Sequence, residues 1–296
     1  MDTGDTEFEK QVEFEEQLIT DHLELNNITA TRDNSGIYYE VLNENTNGTP
    51  IEEEDIVSIR YIMKTLGGKL IDSLSMSEEV DTVVRFQHVA GAILPKGINF
   101  GVRLMNEGEK FRFYIPSYLA FGNYSYKTLL SSGAILVVDT EVVKVESEED
   151  VKAQEKQAIQ QYITMHQLER VSEKSSGIFY QILSEGTGEV VKTGQSVKVA
   201  YKGLYLNDEV FDESKSGEPI SFSIGYSNII KGFEEGIKLM KKGEKGRIFV
   251  PSDLAYGQGT QVIPGILRKD YLKTYNLRDM APYQTLIFEV ELKEVN

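Results

Sequence analysis

Cysteine is absent from the 296-residue chain, and histidine occurs only as His22, His88 and His166. These absences exclude disulfides, thiol catalysis and the common Cys/His zinc sites. His22 and His166 each follow an Ile-Thr-x step at matching places in two similar segments and read as structural. His88 has no Gly-x-Ser-x-Gly elbow to serve, so no hydrolytic triad is expected. Gly186-Thr187-Gly188 lacks the Lys-Ser/Thr of a phosphate loop. No run approaches the roughly 18 apolar residues of a membrane helix, so no membrane span is expected, and no signal peptide is visible after Met1, which can itself be a start that replaced one. Positive charge is also short. Against 47 acidic residues stand 31 basic ones, a net charge of −16, and that field repels a nucleic-acid backbone. The acidic clusters at Glu52–Asp55 and Glu146–Asp150 read as solvated linkers.

What remains is the profile of a folded, soluble chain, 40% hydrophobic and 26% charged, long enough for two domains. Self-similarity then organises it. Ser35-Gly36-Ile37-Tyr38-Tyr39 returns as Ser176-Gly177-Ile178-Phe179-Tyr180. Gly67-Gly68-Lys69-Leu70-Ile71-Asp72 answers Asn207-Asp208-Glu209-Val210-Phe211-Asp212. Met105-Asn106-Glu107-Gly108-Glu109-Lys110 matches Met240-Lys241-Lys242-Gly243-Glu244-Lys245. Ile115-Pro116-Ser117-Tyr118-Leu119-Ala120-Phe121-Gly122 matches Val250-Pro251-Ser252-Asp253-Leu254-Ala255-Tyr256-Gly257. The order is kept while the separation drifts from 141 to 135 residues, as small loop deletions produce. The chain is a duplication.

Each copy opens on an amphipathic helix. Phe8, Val12, Ile19 and Leu23 make the apolar stripe of the first; Ile159, Tyr162, Ile163 and His166 make that of the second. Ser147 stands as N-cap before Glu148-Glu149-Asp150. Strand-type alternation follows in Val197, Val199 and Tyr201, in Ile220, Phe222 and Ile224, and in Leu286, Phe288, Val290 and Leu292. One short helix lies between, with Phe233, Ile237 and Met240 on one face, repeated in the first copy by Ile98, Val102 and Met105. Strands wrapped around one helix give an α+β module with a single core.

Five ordered blocks of the second copy carry a family resemblance. They are Val199-Ala200-Tyr201-Lys202-Gly203, Val210-Phe211-Asp212, Ile229-Ile230-Lys231-Gly232-Phe233-Glu234-Glu235-Gly236, Val250 to Gly257, and Thr285 to Leu292. Through them Gly177–Asn296 resembles the FKBP-type peptidyl-prolyl isomerases, and the chain reads as two tandem FKBP-like modules, each an antiparallel sheet around a short helix. The resemblance implies rotation about X–Pro bonds of proline-containing polypeptides, without nucleophile, metal or cofactor. It implies that Tyr201, Phe211, Phe233 and Phe288 line a cup for the proline ring, with Ile220, Ile229 and Ile230 at the rim and Ile263 above it. The Ile230 N–H and the Tyr256 hydroxyl would donate to carbonyls flanking the proline, and Asp212 would accept from Tyr201. The family usually has Trp where Phe233 stands and commonly an aromatic where Ile220 stands.

At the matching places of the first copy Tyr61 and Asp72 are kept. Phe211 becomes Ile71, Phe233 becomes Ile98, Phe288 becomes Val138 and Tyr256 becomes Phe121, without a hydroxyl. Ile230 becomes Pro95, which has no N–H to give. The first copy is therefore expected to keep the core and lack the site. A second departure is the long stretch from 258 to 281, basic in an acidic protein, where Leu267, Tyr271 and Tyr275 fall at helical spacing within Ile266–Arg278. It reads either as a flap over the second cup or as a surface helix. The expected divisions are 1–30 (helical segment), 31–146 (degenerate module), 147–171 (helical linker) and 172–296 (isomerase module). Two functions stay open: a folding catalyst working through the second module, or a non-enzymatic peptide-binding or assembly protein using both. A homodimer through the N-terminal helices and a cell-envelope location, periplasmic or lipid-anchored, are further expectations.

Overall fold

The computed structural model of the chain describes residues 6–74, 83–215, 218–277 and 280–296. Residues 1–5 of the expected first segment and Arg278 of the insertion lie outside the described residues. The described helices are α1 (Glu7–Leu25), α2 (Lys96–Val102), α3 (Glu148–Met165), α4 (Lys231–Lys238) and α5 (Gly265–Thr274). The chain forms two compact units. One comprises residues 1–147 and 259–281, the other residues 148–258 and 282–296.

Both units are α+β and repeat one topology. In the first, the strands run in space Thr31–Arg32, Tyr38–Asn43, Lys110–Ile115, Leu136–Glu146, Ile56–Thr65, Leu70–Ser73, with Val84–Gln87 also paired to Ile56–Thr65. In the second, the same order is Val171–Glu173, Phe179–Ser184, Lys245–Val250, Leu286–Val295, Ser196–Tyr205, Val210–Glu213, with Ile220–Ser223 paired to Ser196–Tyr205. All of these pairings are antiparallel. Even the irregularities are duplicated. Register shifts fall at Val41/Asn43, Ser58/Ile59 and Met63/Lys64 in one unit and at Ile182/Ser184, Lys198/Val199 and Gly203/Leu204 in the other. Such bulges bend a strand and re-aim its side chains, so their repetition reproduces the curvature of the cup as well as its sequence.

The short helix lies close on the sheet because of paired glycines. A Cβ at Gly232 would stand 2.3 Å from Val250 Cγ1, and one at Gly236 2.3 Å from Ile248 Cδ1. Gly97 and Gly101 make the same approach to Ile115 and Phe113. Below the helix, Phe233, Ile237 and Met240 join Val197, Val199, Phe288, Val290 and Leu292 in one buried cluster. The alternation read in these strands is thus the inward face of the core.

Four expectations need correction. The segment 147–171 is no linker: α3 buries Val151, Glu155, Ile159 and Tyr162 within the second unit, and Ile159 and Tyr162 pack with Phe179, Phe249 and Ile287. The apolar stripe of α1 is also shifted. Ile19 and Leu23 are buried, but Phe8 is 57% exposed and Glu15 is buried in its stead. Glu146 is not solvated, being 3% exposed and ion-paired with Arg85 at 3.1 Å and Lys144 at 2.6 Å.

The largest correction concerns the insertion. After Gln258 the chain becomes part of the first unit and returns only at Pro282. Gln261–Val262 pairs in parallel with Ile93–Leu94, the Gln261 N–H donating to Ala92 O at 2.7 Å and the Ile263 N–H to Leu94 O at 3.0 Å. Helix α5 then buries Leu267 and Leu272 completely in the first unit's core. It is neither a flap over the second cup nor a surface helix.

Candidate functional site

In the second unit, nine of the ten expected residues come together. Phe233 and Phe288 form the floor, 3% and 4% exposed, with ring centroids 4.9 Å apart edge to face. Tyr201 stands edge-on to Phe233 at 5.8 Å, and Phe211 edge-on to Phe288 at 5.8 Å. These offset edge-to-face arrangements satisfy the aromatic quadrupoles and hold the rings in fixed directions. Ile220, Ile229, Ile230 and Tyr256 are half-buried against the same cluster and make the rim. Asp212 is exposed and accepts a 2.6 Å hydrogen bond from the Tyr201 hydroxyl. Burial first, then that bond and the Asp212 charge, push the Tyr201 phenol above its ordinary range. Ile230 is the N-cap of α4, at φ −59° and ψ 138°, and among the described residues no backbone carbonyl accepts from its N–H.

Ile263 is the exception. It is 2% exposed in the first unit's core with Ile93, Leu94 and Leu267, because the insertion that carries it belongs to that unit. Two residues escaped the sequence reading. Gly203 makes room for Phe211, since a Cβ there would meet the phenyl ring at 2.6 Å; its counterpart in the first unit is Met63. Tyr205 flanks the other side of Phe211 with centroids 5.1 Å apart. The Gly203 signal was present, a glycine in a strand interior where another group comes close.

The first unit keeps the polar pair, Tyr61 donating to Asp72 at 2.6 Å. Yet Tyr61 is only 2% exposed, Ile71 7% and Phe121 6%, where Tyr201, Phe211 and Tyr256 are half-open. The cover is the 259–281 segment. Val262, Ile263, Leu267 and Leu272 share one buried cluster with Tyr61, Ile71, Ile98, Phe121 and Val138. Tyr271 lies edge-on to Phe121 at 5.8 Å and to Tyr124 at 5.0 Å, and the Tyr124 hydroxyl donates to Asp270 at 2.8 Å.

An antiparallel sheet curled over one short helix beside a phenol–carboxylate pair is thus present twice, with the apolar cup half-open in the second unit alone among the described residues. The model of the FKBP-type peptidyl-prolyl cis-trans isomerases matches residues 48–143 and 188–293, and the chain belongs to that family. It is 37% identical over 126 residues to the isomerase FkpA of Escherichia coli, covering 42% of this chain and 40% of that protein. It is 35% identical over 117 residues to FK506-binding protein 1 of Dictyostelium discoideum, covering 39% of this chain and 95% of that one. The chain thus spans about two fifths of the FkpA relatives it matches first. The crystal structure of E. coli FkpA superposes on 50% of this chain and 62% of that one with TM-score 0.38 at 31% identity. Among the described residues no helix is long and apolar enough to cross a membrane.

Proposed function

We propose that the protein is a peptidyl-prolyl cis–trans isomerase that works through its second unit alone. The observation that carries this reading is the contrast in exposure: an aromatic cup left half-open around Tyr201, Phe211 and Tyr256, against one filled by the chain's own Ile263 and Leu267. The barrier to rotation about a peptide bond is about 18–20 kcal/mol and comes from amide resonance. In the twisted transition state that resonance is lost and the carbonyl becomes less polar. A cup walled by Phe211, Phe233 and Phe288 removes water from the imide and so disfavours the planar ground state relative to the twisted one. The Ile230 N–H and the Tyr256 hydroxyl hold the flanking carbonyls, while Tyr201 and Asp212 fix the polar edge.

The first unit is then non-catalytic, because Pro95 offers no N–H, Phe121 offers no hydroxyl, and the cup is occupied. The clients are proline-containing polypeptides; a net charge of −16 argues against nucleic acid. A homodimer through α1 is supported by exposed Phe14, Leu18 and Leu25, and a monomer in sedimentation overturns it. The compartment proposed is the cell envelope, where a chain without cysteine has no disulfide to mispair; fractionation decides. The activity itself is tested in the full chain with a protease-coupled prolyl-peptide assay on Phe211→Ala and its counterpart Ile71→Ala. Loss of about tenfold or more in kcat/KM is expected for the first, with no change for the second. Equal losses, or none, sink the assignment.

A further inference from the structure

Tyr256 sits on a tight loop closed on the backbone of one residue, Ser252. The carbonyl of Ser252 accepts from the Ala255 N–H at 3.0 Å and from the Gly257 N–H at 2.7 Å, so the two residues bracketing Tyr256 are closed onto the same oxygen. The other end of Ser252 is held from outside the loop: its N–H donates to Glu155 Oε2 of α3 at 2.9 Å. Glu155 is 6% exposed and Ser252 3%. One turn earlier on α3, the Lys152 ammonium lies 3.6 Å from the Asp253 carboxylate in the same loop. Burying a carboxylate is costly unless it is hydrogen-bonded, so a buried helix glutamate aimed at a loop N–H has a geometric purpose.

The arrangement is duplicated. In the first unit Ser117 O accepts from Ala120 N–H at 2.9 Å and Gly122 N–H at 2.8 Å. Glu15 of α1 takes the Ser117 N–H at 2.7 Å and its hydroxyl at 2.5 Å. There the ring so placed is Phe121, which packs on Tyr271. The device places a ring; the hydroxyl on that ring is what the second copy has and the first lacks.

We propose that Glu155 is a positioning residue for the Tyr256 hydroxyl, and that α3 is therefore part of the catalytic unit. The proposal rests on the reading that Tyr256 donates to substrate. Misplacing a donor by about 1 Å costs on the order of a hundredfold in an organised site. Its test is a double-mutant cycle in the full chain, Glu155→Ala crossed with Tyr256→Phe, followed by kcat/KM for a prolyl peptide. Glu155→Ala is expected to lower kcat/KM about tenfold when Tyr256 is present and to change it less than twofold when Phe stands there. Glu155→Gln, which keeps an acceptor oxygen, should restore most of the activity. An equal loss on both backgrounds makes Glu155 a scaffold residue and overturns the proposal, as does no loss on either. Full activity in Tyr256→Phe alone removes the donor role itself, a failure recognisable apart from the other. Should Glu155→Ala fold poorly, Glu155→Asp retracts the acceptor by one methylene with the charge kept, and the same cycle is run with it.

Discussion

The two units share a sheet order, three bulges, a glycine-spaced helix and a Tyr–Asp hydrogen bond of the same length, and they differ in what fills the cup. In the second unit the filling is aromatic wall around open space. In the first the walls are Ile71, Ile98 and Val138, and the space is taken by Ile263, Leu267 and Tyr271 from an excursion of the second copy's chain. Loss of the aromatics and gain of the plug are two halves of one change. Small aliphatic walls leave a wider hollow, and protein interiors do not tolerate hollows. In the first unit the place of the cup has become core.

That comparison breaks most visibly at Leu267, which is fully buried. Leu267→Ala should cost the first unit about 2–5 kcal/mol, the usual range for a buried leucine that leaves a cavity. Isomerase activity, proposed for the second unit, should stay unchanged, since Leu267 packs in the first unit's core. Hydrogen exchange of the full chain checks both sides: faster exchange at Tyr61–Met63 and Phe113–Ile115, with turnover intact. Lost turnover in a chain whose second unit still resists exchange would show that the cups are not independent.

Much of this was legible in the sequence, for reasons that differ by residue. The strands and the helices α2 and α4 follow from alternation and from apolar spacing at i, i+4, because each copy has to bury one face. The cup residues follow from ordered motifs at fixed places. Glu15 and Glu155 were hidden, because a charged residue in an acidic helix reads as solvent-facing until its partner N–H is seen. The destination of 259–281 was hidden for a deeper reason. Apolar residues at helical spacing declare that a face will be buried and do not name the surface that buries it. Leu267 and Tyr271 fit their partner only because Phe121 and Ile71 in the other copy are not Tyr and Phe.

A smaller effect sharpens the same contrast at Gly203. Its Cβ-free backbone leaves the space that the Phe211 ring occupies, whereas Met63 in the first unit stands beside the slimmer Ile71. Gly203→Ala puts a methyl within 2.6 Å of Phe211 Cζ and must turn the ring out of the wall. Phe211 is half-exposed and can move without unfolding the sheet. The expected outcome is about a tenfold fall in kcat/KM, worth about 1.4 kcal/mol at the transition state, with the urea midpoint nearly unchanged. Unaltered turnover would mean that the Phe211 wall does not contact the substrate.

The smallest predicted effect lies at α3 and appears only at alkaline pH. Tyr162 donates to Asp208 at 2.6 Å, while the first unit has His22 at the corresponding place on α1, packed on Tyr114 as Tyr162 packs on Phe249; the structural counterpart of His22 is thus Tyr162 and not His166. Burial first, then the Asp208 hydrogen bond, push the Tyr162 phenol up to about 12. An unfolded tyrosine ionises near pH 10. Between those values the folded state therefore holds a proton that the unfolded state has released, and stability falls as pH rises. The contribution is complete below about pH 10 and is lost as pH climbs through the folded value. Asp208 is half-exposed, so the bond is worth no more than about 1 kcal/mol at neutral pH. Tyr162→Phe should lower the second unit's stability by about that much at pH 8 and flatten its decline between pH 10 and 12. The first unit, whose α1 carries no such phenol at this place, should titrate identically in both proteins. Urea unfolding followed unit by unit through hydrogen exchange, at pH 8 and then above pH 10, makes the measurement. If the variant and the parent decline in parallel above pH 10, the Tyr162–Asp208 bond does not hold the proton, and the alkaline sensitivity of this unit comes from its other buried phenols.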